Sequence, residues 1–418
     1  MQTTDSRIEP GTLPTEEQFR EEALAFLSAN AEKRPPDKVE WGVGSDSVEL
    51  FADKTPEQEL EDLENSRAWR MKSFDAGFGW ITGPTQYGGR GLPNSYQAIY
   101  NSLESNYKVP SQGPFGIGLG MVAPTILAHA TESVKTKYLR SMYRGDIVGC
   151  QLFSEPSSGS DLASLQTKAE RDGDEWIING QKVWTSGAQF SDIGEIICRT
   201  DPTLPKHKGL TGFVVDMKAP GVEVRPLRQM TGGASFNEVF FNNVRVPNEY
   251  LLGDVNQGWT VALTTLMNER AAIGGSGAGI IGVNKTFELL MQLGSICSQD
   301  PIARQQIADL YIHMKASHFT SMRAMAKVKA GQLPGPEMSL GKLSLTNNLQ
   351  RIGNFVSHVL GPKLIADTGE WGTYSWASLL LGTPGIRVAG GTDEVMKNII
   401  GERVLGLPKE PKPAVDRI

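Results

Sequence analysis

The sequence predicts an α+β multidomain protein in which a β module separates two helical regions. Three observations carry that expectation. Residues 1 to about 145 space their apolar side chains as helices do, and residues from about 147 to 250 read as short strands with turn signals. Helical spacing then returns with "QGWTVALTTLMNERAAIGG" and persists through the rest of the chain. The segments are a first domain over 1–146, a middle domain over 147–256 and a last domain over 257–418.

In the first region, "EEQFREEALAFLSANAEK" places Phe19, Leu24, Phe26 and Leu27 on one side of a helix. "SYQAIYNSLESNY" and "VAPTILAHATESVKTKYLRSMYRG" continue the pattern, joined by Gly/Pro-rich loops such as "GPTQYGGRGLP". "GIGLG" at 116–120 is half of a dinucleotide fingerprint with no strand before it, and it reads as a loop. The middle region opens with the apolar strand 147–152. "RDGDE" and "INGQ" then offer Asp-Gly and Asn-Gly hairpin signals. "DIGEIICRT", "LTGFVVDM", "VEVRPL" and "NEVFFNNVRV" complete a small antiparallel β domain. Long amphipathic stretches follow in "GVNKTFELLMQLGS", "PIARQQIADLYIHMKASHFTSMRAMAKVKAG" and "LGKLSLTNNLQRIGNFVSHVLG".

Bulk properties exclude several classes. With 418 residues, 39% hydrophobic and 21% charged, the chain can bury two or three ordinary cores. A net charge of −6 disfavours nucleic acid or an anionic membrane as the main partner. No apolar run has the length of a membrane span, and "MQTTDSRIEPGTLP" lacks the apolar core of a secretory signal, so cytoplasmic residence in a bacterium is expected. The 3 cysteines are widely spaced without a CxxC pair, and the 5 histidines show no HExxH spacing; neither a disulfide framework nor a metal site is expected.

Four stretches carry candidate chemistry. "FSEPSSGSDL" at 153–162 leaves the first strand and crowds hydroxyls, Pro156 and Gly159 into one loop, either a polar turn or a place where backbone meets a ligand. Trp184 ends an alternating strand and is followed by two hydroxyls. Thr392 in "RVAGGTDEVMKNII" is a helix N-cap with two glycines before it and acidic residues in the first turn. Glu269 lies in the "VALTTLMNERAAI" helix with Leu266 three residues before it and Ile273 four after, and Ala262 and Thr265 share its face. A carboxylate on an apolar stripe is costly unless paired or used, which makes it a candidate base. "GGSGAG" at 274–279 misses the hydrolase GxSxG pattern and lies in a helical run.

Taken in order, "GFGWITGPTQYGGRG", "LRSMYRGDIVGCQLFSEPSSGSDLASLQTKAERDGDEWIINGQKVWTSGA", "FNEVFFNNVRVPNEYLLGDVNQGW", "LMNERAA" and "GGTDEVMKNIIGERVLGLP" resemble the acyl-CoA dehydrogenase superfamily over nearly the whole chain. The resemblance implies an N-terminal helical domain, a middle β-barrel domain and a C-terminal four-helix bundle. It also implies FAD, an acyl-CoA substrate and electron-transfer flavoprotein as the acceptor. A homotetramer or dimer is the implied assembly, with a hetero-oligomer as a further option.

Residue by residue, the implied cofactor contacts are Leu152, Phe153 and Ser154, the last two at the ring edge, and Gly159 and Ser160 at the pyrophosphate. Trp184 would cover the isoalloxazine, with Thr185 and Ser186 near its reactive edge. Gly361, Thr392 and Glu394 complete the set. Ser160, Arg270 and the Gly390 amide are the implied substrate contacts.

Many members carry the catalytic base where this chain has Gly390, which cannot take a proton. A minority carry it in the helix at "NER", where Glu269 stands, so both lines of reasoning arrive at Glu269 as the base. The usual Arg-x-x-Phe-Gly segment is replaced here by "MQLGSICSQDPIARQQ", and "HVLGP" keeps Gly361 but loses a glycine. This C-terminal pattern resembles that of members acting on steroid side chains in two-gene assemblies. "AAIGGSGAG" offers small residues after the base, which leaves room for a branched or bulky acyl group or permits close helix packing. Two alternatives share the fold: an oxygen-using oxidase or monooxygenase, and a non-catalytic acyl-CoA-binding subunit.

Overall fold

The computed structural model describes residues 13–35, 40–50, 54–275, 283–329, 335–336 and 339–409, without the side chains of 270–275, 283–285, 325, 328 and 329. The first helix, α1 (Glu16–Asn30), starts at a capping box: Thr15 accepts from the Gln18 amide and the Gln18 side chain returns to the Thr15 amide. It buries Phe19, Ala23 and Leu27, with Phe26 packed alongside, whereas Leu24 is 40% exposed. Leu24 lies five residues from Phe19, about 140° away around the helix, so the expected face loses that member. A two-residue strand, β1 (Glu32–Lys33), pairs antiparallel with β2 (Tyr107–Lys108).

The same cap logic starts α2 (Pro56–Asp75) at Thr55 and Pro56. After α3 (Asn94–Glu104), the chain is helical from Gly113 through α4 (Ala123–His129), including a π turn over Gly118–Val122. The expected loop at 116–120 is therefore helix. The physical reason is proximity: a Cβ on Gly118 would lie 3.0 Å from the Gly149 amide, so glycine lets this helix lie against the following strand. Next comes α5 (Glu132–Arg144), which stops at Gly145, whose φ of +95 belongs to the left-handed region.

The middle region holds β3 (Gly149–Leu152), β4 (Lys168–Asp172), β5 (Glu175–Ser186), β6 (Ile193–Arg199), β7 (Leu210–Asp216), β8 (Val222–Leu227), β9 (Phe236–Pro247) and β10 (Leu251–Leu252). Their order is β10-β7-β6-β4-β5-β9-β8, with β3 lying parallel to β6. Pairing is otherwise antiparallel apart from one parallel bridge between Lys168 and Arg199. Asp172 and Glu175 close the Asp-Gly hairpin as the sequence predicts. The Asn-Gly pair does not turn; it lies inside β5 and makes a bulge opposite β9. Gly180 there has φ +153, and a Cβ would lie 2.4 Å from Thr167 Oγ1, so the glycine serves close packing rather than reversal. Side chains from β3 to β9 share one core, and Trp176 of β5 meets Phe213 of β7 edge-on at 5.4 Å, so the sheet curls upon itself.

Among the described residues the helices that follow are α6 (Gly258–Gly275), α7 (Val283–Ile296), α8 (Pro301–Lys329), α9 (Ser339–Leu360), α10 (Trp376–Val388) and α11 (Asp393–Ile399). Helices α7, α8, α9 and α10 share a core that also takes Val48 and Leu50 from the N-terminal region. The 40–50 segment is tied down there by the Trp371 indole donating to Gly44 O at 2.8 Å. A second core joins all three regions, combining Val122 and Ile126, Ile193 and Ile197, and Val261 and Ala262 of α6. Among the described residues no helix is long and apolar enough to cross a membrane, and no group of three or more His, Cys, Asp or Glu could hold a metal ion.

Candidate active site

The 153–162 loop is built around a buried ion pair. Glu155 and Ser158 exchange backbone hydrogen bonds of 2.9 and 3.0 Å, closing a tight reversal over Pro156 and Ser157. The Glu155 carboxylate accepts from the Lys182 ammonium at 2.8 Å and from the Gln166 and Thr167 amides at 2.6 and 2.9 Å. Lys182 also donates to Phe153 O at 3.0 Å, and both charged side chains are almost wholly buried. Burial opposes the Glu155 charge, but the ammonium and the two amides more than offset it and hold the carboxyl below its usual range. Leu152 and Phe153 are buried, whereas Gly159 and Ser160 face outward. A Cβ on Gly159 would meet nothing within 4 Å, so the space before it is open.

Trp184 sits on a bulge of β5, where pairing with β9 shifts between Lys182 and Thr185. Its φ is +62, a left-handed conformation that costs a non-glycine residue about 1–2 kcal/mol, and its indole is 60% exposed. The Val183 amide donates to Ser154 O at 2.8 Å, so the loop after β3 and the end of β5 form one surface. Thr185 is 1% exposed, yet its hydroxyl has no hydrogen-bond partner. Asn237 holds the Thr185 carbonyl at 3.1 Å from the neighbouring strand. A strained exposed indole beside an orphaned hydroxyl and an open loop fits a flat ligand carrying phosphates.

Glu269 is half-buried on α6, beside Ala262 and Thr265, which are fully buried. The side chains of Arg270 and Ile273, and all of residues 276–282 in "AAIGGSGAG", lie outside the described residues. Helix α6 packs on β6 and β7 and also on α9.

Helix α11 also packs on α9. Gly390 and Gly391 have φ of +66 and +88, and a Cβ on Gly391 would lie 2.6 Å from Met396 Cε. Thr392 caps α11 by accepting from the Val395 amide at 3.2 Å, while Glu394 points outward. Asp393 anchors the turn, accepting from Thr346 at 2.8 Å, Arg387 at 2.9 Å and Lys342 at 3.2 Å. Gly361 stands apart at the far end of α9, roughly 22 Å along the helix from Thr346. The structure thus joins Leu152–Ser154 to Trp184–Ser186, and α9 supports both the Glu269 helix and the Gly390 turn.

Comparison with known proteins decides what this arrangement belongs to. Descriptions of the acyl-CoA dehydrogenase N-terminal, middle and C-terminal domains match residues 45–146, 150–244 and 256–405. Acyl-CoA dehydrogenase IpdE1 of Mycobacterium tuberculosis is 34% identical over 359 residues, covering 85% of this chain and 92% of that protein. The chain belongs to the acyl-CoA dehydrogenase family. A second relative, acyl-CoA dehydrogenase FadE34 of the same organism, is 41% identical over 289 residues. That alignment covers 69% of this chain but spans only 39% of FadE34. Among solved structures, the Tcur3481-Tcur3483 steroid ACAD aligns over 96% of this chain and 100% of its own, with TM-score 0.71 and 25% identity. The ChsE4-ChsE5 complex of Mycobacterium tuberculosis matches with TM-score 0.69, 25% identity and the same two coverages.

Sequence reasoning about this acyl-CoA dehydrogenase missed the groups that hold the site from behind. Lys182, in the interior of a strand beside Trp184, was a legible signal, because a lysine there must be paired or face solvent. The Asp393 anchor carried no such signal, since Lys342 and Thr346 meet it only through the packing of α11 on α9.

Proposed function

We propose that this acyl-CoA dehydrogenase converts an acyl-CoA thioester to the trans-2-enoyl-CoA, with Glu269 removing the α-proton. The observation that carries the reading is the half-buried position of Glu269 on α6, one turn beyond buried Thr265, in a chain whose residue 390 is glycine. The α-hydrogen of a thioester is weakly acidic, so its removal needs a base and a donor for the developing enolate oxygen. The Gly390 amide, in its left-handed turn, is the donor we assign. FAD, when bound, would supply the acceptor for the β-hydride, and an electron-transfer flavoprotein would be the onward electron acceptor. Leu152, Phe153, Ser154 and Ser186 would hold its ring together with Trp184, and the orphaned Thr185 hydroxyl would find a partner in it. Gly159 and Ser160 would hold the pyrophosphate, and Gly361, Thr392 and Glu394 would supply the remaining cofactor contacts. Ser160 and Arg270 bind the acyl-CoA.

A branched or bulky acyl group is the substrate we favour, in keeping with the small residues after Arg270 and with the likeness to a protein named as a steroid ACAD. The reading places the enzyme in the cytoplasm, as an oligomer, with domain boundaries near residues 146 and 256. A hetero-oligomer is the second reading, favoured by the two-chain ChsE4-ChsE5 neighbour and by exposed apolar side chains along α8.

The first test is the visible spectrum of the purified FAD-loaded chain, repeated anaerobically with straight-chain, branched and steroid side-chain acyl-CoAs. Bleaching of the oxidised flavin band by a panel member is expected, and Glu269→Gln should keep the colour while losing bleaching. A Glu269→Gln protein as active as wild type would move the base to another carboxylate.

A further inference from the structure

One buried carboxyl in the three-way core has no place in the site described above. Glu195, on β6, is fully buried on the strand face that carries Ile193 and Ile197. Its Oε1 lies 2.5 Å from the Thr265 hydroxyl of α6, and Thr265 lies 2.8 Å from the Thr125 hydroxyl of α4. Each threonine also reaches the carbonyl one turn back, Thr265 to Val261 at 3.2 Å and Thr125 to Met121 at 2.9 Å. Glu195 Oε2 has no partner.

The proton inventory of this chain depends on the state of Glu195. Were it ionised, Thr265 would turn its single hydrogen to the carboxylate, and Oε2 would keep buried charge with no donor. With a neutral carboxyl donating to Thr265 Oγ1, Thr265 passes its own hydrogen to Thr125 Oγ1 and Thr125 donates to the Met121 carbonyl, so only a neutral oxygen goes without a partner. Burial pushes the carboxyl up to about 8, with the Thr265 hydroxyl opposing.

Among the described side chains no compensating cation acts on Glu195. Among the described side chains of α6, the ionisable group of the same face is Glu269, one turn beyond Thr265. Helix α4 contributes His129, which hydrogen-bonds Thr264 at 2.8 Å and whose imidazole burial holds below its usual value. The strand neighbours of Glu195 are Gln151 on β3 and Val214 on β7. Cys198 belongs to the opposite face of β6, in the barrel core.

We infer that Glu195 is a positioning residue for the reaction, a neutral acid that pins Thr265 to β6 and α4 and so sets where α6 presents Glu269. The inference rests on the reading of Glu269 as base. Ionisation of Glu195 removes the donor, leaves a buried carboxylate with its Oε2 unsatisfied inside the junction and loosens α6, so turnover falls on the alkaline side. Because its folded value lies above its unfolded one, its stabilising contribution is complete at acidic pH and is lost progressively until pH passes about 8.

The test compares FAD-loaded wild type, Glu195→Gln and Glu195→Leu, using the panel acyl-CoA that bleaches the flavin. Wild type should show the infrared carbonyl band of a protonated buried carboxyl at pH 7, and Glu195→Gln should lack it. The melting temperature of wild type relative to Glu195→Gln should fall between pH 5 and 8 and then level. Glu195→Leu should lose on the order of 10-fold to 100-fold in kcat with KM little changed. Glu195→Gln, an isostere with a permanent donor, should recover most of that loss and show no alkaline limb near pH 8. An absent infrared band, or the same alkaline limb in wild type and Glu195→Gln, overturns the inference. If Glu269→Gln keeps full turnover, the base reading falls and this inference falls with it. If Glu269→Gln is inactive but Glu195→Gln leaves the pH profile unchanged, only this inference falls.

Discussion

The Thr185 hydroxyl is buried without a partner, an arrangement that costs a folded protein about 1–3 kcal/mol. The neighbouring Trp184 adds backbone strain and leaves a large apolar ring in solvent. Both costs are offset if a ligand covers the indole and meets the hydroxyl, and this gives an expectation of opposite sign for the two states. Thr185→Val should leave the FAD-free protein as stable as wild type or more so, while flavin affinity falls about tenfold. Thermal melts without FAD and a flavin titration measure the two effects. A lower melting temperature with undiminished affinity would make Thr185 an ordinary core residue.

At the scale of the element, the 153–162 loop is a short reversal held in place by one strand. Lys182 of β5 neutralises Glu155 and binds the Phe153 carbonyl, so the loop geometry depends on a side chain 27 residues away in sequence. Lys182→Met would leave a buried carboxylate with only amide partners and should cost about 3–5 kcal/mol. Adding Glu155→Gln to that variant should recover part of the loss, because the unpaired charge is then gone. Urea unfolding of the single and double variants measures it. The carboxyl of Glu155 is held low, so its contribution is present above the ordinary carboxylate range and is lost as pH falls through the depressed value.

For the whole molecule, the outer face of α8 presents Ile312, Phe319 and Met322 at 63%, 62% and 56% exposure. Residues 312 and 319 are seven apart and 322 follows by three, which places them along one stripe of the helix. A second chain covering that stripe accounts for apolar side chains that a monomer would leave wet. Phe319→Lys should shift the mass measured by light scattering toward the monomer without changing the far-ultraviolet circular dichroism. An unchanged mass would place the interface elsewhere.

Helical and strand regions were legible because apolar periodicity is a local property, and nearly every expected element is present. Where local reasoning went wrong, a distant backbone was the cause. Gly118 admits Gly149, and Gly180 admits Thr167, so one expected loop is helix and one expected turn is a bulge. The long motif from Phe153 to Ser186 and the placement of Glu269 were likewise readable, since both depend on residue type and short spacing. The supports behind them were not. Lys182 under Glu155, Lys342 and Thr346 around Asp393, and Thr125 and Glu195 around Thr265 join groups that the chain separates by 27 to 140 residues. No periodicity encodes such pairs; they arise when packed elements force buried polar atoms to find partners in whatever lies opposite.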